Sequence, residues 1–266
     1  MLAGFCYHAN VSLLLVAAFF LLGTLIASFV GVVVGRLYTG QGVVLGRSRC
    51  DACSTTLTPR TLIPIVSYIL GSGRARCCGA RLSPWAPVSE LALGALFALA
   101  YLHLGLSSAL PALLVALTLL TTLVLYDLAH QILPPPLLVL FVGASALSMY
   151  LEVPSTALLA TTLTAGAFAL FFALLWVVSA GRAMGLADTP LVFGLALLAG
   201  PVALTGFLFS FWIGALVGIV LLARTPRGAR MGIEVPFAPF LAAGFLLAYF
   251  TQWDPFALSA LIEALL

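Results

Sequence analysis

Lysine is missing from this 266-residue chain, and its eleven formal cations are all arginine. Charge of either sign is scarce, 7% of residues, against roughly a quarter in soluble globular proteins. With 63% hydrophobic residues and a mean hydropathy of +1.22, so few polar side chains cannot cover a soluble fold, and lipid must serve as part of the solvent. The net charge of +3 is small and gives no sign of a nucleic-acid partner. A glycine-rich nucleotide fingerprint is also lacking. No basic residue precedes the first apolar run, which is too long for the roughly 7–15-residue core of a signal peptide, so it reads as a retained helix.

What is present is a succession of apolar segments near the roughly 20 residues that cross a bilayer. They cover 11–35, 86–104, 109–127, 134–151, 156–180, 189–205, 206–223 and 235–251. They predict an all-α polytopic membrane protein of about eight transmembrane helices. Only a short Gly200-Pro201 turn separates the sixth from the seventh. The chain divides into a first transmembrane helix (1–35), a Cys-bearing loop domain (36–85) and a seven-helix transmembrane domain (86–266). The arginines form three groups: Arg36, Arg47, Arg49, Arg60, Arg74, Arg76 and Arg81; then Arg182; then Arg224, Arg227 and Arg230. With the N-terminus outside, all three groups are cytoplasmic, and the opposite loops near 105–108, 152–155, 200–206 and after 251 hold no arginine. That is the positive-inside pattern.

Four of the five cysteines, Cys50, Cys53, Cys77 and Cys78, sit in the long loop; Cys6 has no visible partner. A cytoplasmic loop disfavours disulfides, and Cys50-x-x-Cys53 reads as half of a zinc knuckle. A regular ribbon closes with a second C-x-x-C. Here Ala75 stands where the third ligand belongs, and Cys77 adjoins Cys78. The residues leave open a three-thiolate, distorted or empty site, and a loop domain of unmetallated thiols.

Acidic residues at membrane depth are costly and point to function. Of the eight, Asp51 lies in the loop, Glu152, Asp254 and Glu263 on the outer side, Glu90 at the start of the second helix and Glu234 just before the eighth. Asp127 ends the third helix and Asp188 lies between the fifth and sixth, both near the cytoplasmic face. Two carboxylates at one depth can share a proton, one activating water while the other polarises a carbonyl. The plainer readings are that Asp188 caps a helix at Asp188-Thr189-Pro190 and that Asp127 sits hydrated or arginine-paired at headgroup level. His130 faces the same side as Asp127 and is placed to hydrogen-bond it; the plainer reading is an interfacial histidine without chemistry.

Taken in order, the strings resemble the type IV prepilin peptidases of the bacterial inner membrane. Gly23 to Leu37 is similar to the family's G-S-F-x-x-V-x-x-x-R-L opening, Arg47 to Cys53 to R-S-x-C-x-x-C, Leu62 to Tyr68 to L-I-P-x-x-S-Y, and Gly73 to Gly79 to G-R-x-R-x-C-G. Ser83 to Leu91 is similar to S-x-x-Y-P-x-V-E-L, Asp127 with Leu133-Pro134 to D-L-x-x-x-x-I-P, Ala183 to Asp188 to A-M-G-x-G-D, and Val235 to Phe240 to I-P-F-G-P-F.

The resemblance implies a membrane aspartic endopeptidase in which Asp127 and Asp188 are the catalytic pair. They cut the leader of a prepilin or pseudopilin on the cytoplasmic side, and the new N-terminus is then methylated with S-adenosylmethionine. It also implies a zinc site using Cys50, Cys53 and Cys78, with Ala75 at the fourth position and Cys77 nearby. Departures accompany it: Ala187 replaces a glycine before the aspartate, Pro190 a lysine, Pro135 a polar residue and Ala238 a glycine. The alternatives in other classes are a small transporter using the two carboxylates as ion relays, and an inactive homologue acting in pilus or secretion assembly.

Overall fold

The computed structural model describes residues 2–39, 42, 50, 52–56, 58, 64–182, 184–224 and 235–253. Arg47, Arg49, Arg60, Arg227 and Arg230 lie outside the described residues, as do Asp51, Leu62, Ala183, Glu234, Asp254 and Glu263. Lipid offers no hydrogen bonds, so apolar segments satisfy their main chain internally, as helices. The elements are α1 (Leu2–Arg36), α2 (Val66–Leu70), α3 (Trp85–Leu104), α4 (Leu110–His130), α5 (Pro135–Glu152), α6 (Ser155–Ser179), α7 (Asp188–Ala199), α8 (Ala203–Arg224) and α9 (Ala238–Thr251). Proline opens α4, α5 and α9 within their first two positions, where its missing N–H has no intrahelical partner to lose. Left-handed residues Gln131, Ala180 and Gln252 close α4, α6 and α9.

By length and composition, six stretches can cross a membrane, with Asp188–Arg224 counted as one run, and α9 is a shorter apolar helix. Contacts with α9 give the direction of that run. Gly206 abuts Phe245, Ser210 abuts Gly244, and Gly214 faces Phe240, so α8 and α9 are antiparallel and the Arg224 end of α8 lies at the Ala238 end of α9. The amide of Ala238 reaches Asp127, and Asp127 shares a cavity with Asp188, where α7 begins. Helix α7 therefore runs away from the level that α8 returns to. The run folds back at the Gly200–Val202 turn, as the Gly-Pro pair predicts. At twelve residues, α7 rises only about 18 Å against a hydrocarbon core of about 30 Å. It is tolerated because it is central: Leu191, Val192, Leu195, Ala196 and Leu197 are buried among α5, α6 and α9. A helix apolar on all sides belongs in such a position.

The chain forms two compact units, Met1–Leu106 and Ser107–Leu266. In the first, α1 packs on α3. Their backbones touch where a Cβ on Gly23 would come within 2.6 Å of the Leu93 carbonyl and one on Gly94 within 2.7 Å of Thr24. Phe19 and Tyr101 stack beside the crossing at 5.0 Å. In the second unit, a Cβ on Gly244 would fall 2.1 Å from the Ser210 nitrogen. The Ser210 hydroxyl spans that crossing, donating to the Leu241 carbonyl at 3.2 Å and to Gly206 at 2.8 Å. Small residues at crossings are how helices associate where lipid removes the hydrophobic drive. At the far end of α9 the Tyr249 hydroxyl donates to Glu152 at 3.1 Å.

Gly244→Ala is expected to destabilise the C-terminal unit by about 3 kcal/mol, the upper end for overpacking, because the clash is with backbone. Gly143→Ala on α5, whose Cβ meets nothing within 4 Å, is expected within about 1 kcal/mol of the parent. Denaturant unfolding of both variants in detergent micelles checks the contrast.

Candidate active site and thiol cluster

The thiols assemble in the first unit. Residues 73–82 double back: the Ala75 N–H donates to Ala80 and the Leu82 N–H to Gly73, each at 2.8 Å, and Arg74 bridges Arg81. The Gly79 N–H closes the turn on Ala75 at 2.7 Å from a left-handed φ of +72° that suits glycine. Cys77 and Cys78 occupy the tip. Opposite them, Cys50 and Cys53 lie in a turn closed by the Cys50 N–H on the Thr55 carbonyl at 2.9 Å.

All four sulfurs lie within 4.8 Å of one another. Cys50 to Cys78 is 3.8 Å, Cys53 to Cys77 3.3 Å and Cys77 to Cys78 3.9 Å. A tetrahedron of Zn–S bonds near 2.3 Å has edges of about 3.8 Å, so the donor set fits such an ion and the cluster can hold a metal. The hairpin also accounts for Ala75. That position is buried, with its N–H bonded to Ala80 across the turn, and the fourth thiol comes from the tip two residues later.

Like charges cannot all persist among uncompensated thiolates, and the cluster divides accordingly. The Thr55 hydroxyl, 3.3 Å from the Cys53 sulfur, then the Thr55 amide and Cys77, pull the Cys53 thiol down to about 6. Cys77, sharing a hydrogen bond with Cys53 and then with Cys50, is pushed up to about 12. A group with a lowered pKa stays ionised above that value. In metal-stripped protein at pH 7, iodoacetamide is therefore expected to modify Cys53 well before Cys77, with the Cys53 rate falling as pH drops through about 6. Added zinc should protect all four cysteines. Peptide mapping by mass spectrometry reads both effects.

In the second unit, three helix ends converge. Asp127 sits in the last turn of α4 and Asp188 is the first residue of α7, and both are buried, 7% and 8% exposed. They line one cavity of about 790 Å³ and lie near enough to feel each other's charge. Each is held by main chain. The Gly185 N–H donates to Asp188 Oδ2 at 3.2 Å, and the Ala238 N–H, at the start of α9, hydrogen-bonds Asp127. Leu133, Met184, Leu186, Phe211, Pro236 and Phe237 supply apolar wall, and Gln131 and Arg182 are exposed at its rim.

Asp188 does not cap α7: no side-chain cap bond forms, Ala187 holds the capping position, and the carboxylate turns back onto Gly185. His130 is not a cavity residue. It packs against the Tyr126 ring at 4.4 Å, and among the described residues no hydrogen bond joins it to Asp127. Two of the substituted positions, Ala187 and Pro190, are sterically quiet. Ala187 has right-handed helical angles, φ −67° and ψ −18°, which any residue adopts. Pro190 falls in the first turn of α7, where an amide has no intrahelical partner. Sequence reasoning missed the Ala238 amide and Arg182. A basic residue just past a helix end was visible; its proximity to two carboxylates over such sequence separations was not.

Fold and site together define a polytopic, all-helical membrane protein with a two-carboxylate cavity and a four-thiol cluster able to hold a metal. Residues 21–104 match the bacterial peptidase A24 N-terminal domain. The chain is 32% identical to the prepilin leader peptidase/N-methyltransferase of Bacillus subtilis, over 86% of this chain and 92% of the relative. It is 28% identical to the enzyme of that name in Pseudomonas aeruginosa, over 90% and 92%. It is 30% identical to the type 4 prepilin-like proteins leader peptide-processing enzyme of Escherichia coli, over 79% and 77%. No solved structure matches. The chain belongs to the prepilin leader peptidase/N-methyltransferase family.

Proposed function

We propose that this protein is an aspartic endopeptidase of the bacterial inner membrane. It removes the leader of type IV prepilin-like proteins at the cytoplasmic face and then methylates the new N-terminus. One observation carries the cleavage half: two buried carboxylates, from separate helices, line one cavity. A water held between Asp127 and Asp188 attacks the scissile carbonyl. The ionised carboxylate takes the water's proton, and the protonated one gives its own to the carbonyl oxygen. As the tetrahedral intermediate collapses, the C–N bond breaks, the leaving amine takes a proton from the pair, and one hydroxyl of the intermediate returns its proton to the pair as the carboxyl product forms. The Gly185 and Ala238 amides hold the carboxylates in register, and Arg182 and Gln131 meet the substrate's polar main chain at the rim. A transporter would place relay carboxylates nearer the bilayer midplane, whereas these occupy helix ends.

The direction of the helices supports a cytoplasmic cavity, and the arginine distribution supports an N-terminus outside. Arg182 follows α6 and Arg224 ends α8, both at the Asp127 end of their unit, the end that the positive-inside rule assigns to the cytoplasm. Zinc is the ordinary ion for four thiolates; bound at Cys50, Cys53, Cys77 and Cys78, it would cross-link the two turns of the loop. The methyl transfer is carried by the family's second activity, with S-adenosylmethionine supplying an electrophilic methyl group. No residue of this chain is assigned to that donor.

Asp127→Asn and Asp188→Asn, made separately and reconstituted with a synthetic prepilin, are each expected to reduce leader removal by about a thousandfold or more, with membrane insertion intact. Normal processing by both variants ends the protease reading. Ala187→Gly is expected to process within about threefold of the parent, because the backbone there needs no glycine.

A further inference from the structure

Peptide hydrolysis adds charge to the place where it happens. It turns the scissile carbonyl into a carboxylic acid, which titrates near about 3.5, while the released amine titrates near about 8. At neutral pH the acid therefore gives its proton to the amine, and the severed leader ends in a carboxylate. That carboxylate forms beside Asp127 and Asp188, which line the cavity and hold one proton between them in the cleavage scheme. Like charges at close range in a partly dehydrated site repel, so the product leaves readily only if an opposite charge receives it.

Among the described residues that line the cavity, Arg182 alone carries a positive charge. Its place is set by how α6 ends. Ala180 and Gly181 are both left-handed, at φ +52° and +72°. The Ala180 N–H donates to Val177 at 3.1 Å and the Gly181 N–H to Trp176 at 2.9 Å, the paired bonds of a Schellman end. The Arg182 N–H then donates to the Ser179 carbonyl at 3.1 Å, and the Arg182 Nε donates to the same oxygen at 3.2 Å. The side chain is thus anchored at Nε to the end of α6. Its two terminal amino groups form a fork of the kind that matches both oxygens of a carboxylate. Among the described residues no carboxylate pairs with that fork, and Arg182 is exposed at the rim. A helix-end role accounts for the bond to Ser179 but not for a fork left open on a cavity that holds two acids.

We infer that Arg182 is a product-binding residue, whose guanidinium takes the new C-terminal carboxylate of the severed leader and draws it from the aspartate pair to the rim. This rests on the reading that the cavity cleaves prepilin-like proteins, and it deepens that reading. The main chain that Arg182 meets in the uncut substrate becomes, after the cut, a chain end with a charge of its own. The released leader is therefore an inhibitor of the enzyme, and its carboxylate is the part that makes it one.

The test uses the full chain in phosphatidylcholine vesicles, a synthetic prepilin, and its leader peptide made in two forms, with a free C-terminal carboxylate or a C-terminal amide. Leader removal is followed with each peptide added as inhibitor. The parent is expected to bind the acid about fivefold or more tightly than the amide. In Arg182→Gln the preference is expected to vanish or reverse, because only the repulsion of the aspartates remains. Arg182→Lys keeps the charge without the fork and is expected to keep part of the preference. The acid-to-amide ratio is read within each variant, so a general change in substrate affinity does not disturb it. Equal inhibition of the parent by the two peptides overturns the inference, as does a full preference surviving in Arg182→Gln. Adding phosphatidylglycerol to the vesicles is expected to leave the parent's ratio intact; its loss there assigns Arg182 to lipid phosphate and overturns the inference. If the parent does not cut the prepilin, the cleavage reading falls instead. Equilibrium binding of the two peptides, fluorescently labelled, to the parent and to Arg182→Gln then decides the carboxylate site: tighter binding of the acid by the parent alone upholds it, and any other pattern overturns it.

Discussion

Every buried acidic side chain among the described residues accepts a main-chain N–H. Asp127 takes that of Ala238, Asp188 that of Gly185 and Glu90 that of Ile65. In a lipid-solvated bundle this is the condition on which the rest depends, since water cannot compensate a buried carboxylate and a bare one is prohibitively costly. The donors come from places where main-chain N–H groups are left over, such as the first turn of α9 and the loop before α7. Arginine is not used for this purpose: among the described residues no ion pair joins an arginine to any of the three. Neutral donors orient a carboxylate without fixing it as a permanent anion, which would suit the proton exchange proposed for Asp127 and Asp188.

The same condition explains why helix crossings matter to the cavity. The Ala238 amide reaches Asp127 only if α9 is held at the right height, and α9 has few means of setting its height in lipid. It does so by backbone contact with α8 at Gly244 and Ser210, by the Ser210 hydroxyl bond to Leu241, and by the Tyr249–Glu152 bond at its other end. Small residues remote from the cavity thus act on it mechanically, through one helix.

The thiol cluster solves a different problem. A loop between two membrane helices has little apolar surface to bury on itself, and small domains of that kind need cross-links. The four thiols lie close enough to hold a metal, which would supply such a cross-link without disulfides. The adjacency of Cys77 and Cys78, awkward on paper, is accommodated because both sit at the tip of a turn whose two arms are closed by Ala75–Ala80 and Gly73–Leu82 bonds.

Hydropathy alone determined that lipid is the solvent and located eight apolar segments that each coincide with a helix, although α1 begins at Leu2 where the segment began at 11, and α7 ends at Ala199 where the segment ran to 205. The Gly200-Pro201 pair correctly signalled that one 37-residue apolar run, Asp188–Arg224, is two helices. The arginine distribution assigned both carboxylates to one level. These are local quantities, legible because helix length and charge placement follow from nearest neighbours in the chain. Only the tertiary structure decided that Asp188 turns back to Gly185 instead of capping its helix, that His130 stands outside the cavity, that Arg182 lines it, that Cys77 supplies the thiol Ala75 does not, and that Glu90 holds Ile65. Each of these joins residues through side-chain direction or packing, and neither hydropathy nor spacing encodes the distance between two groups that meet only when separate helices dock.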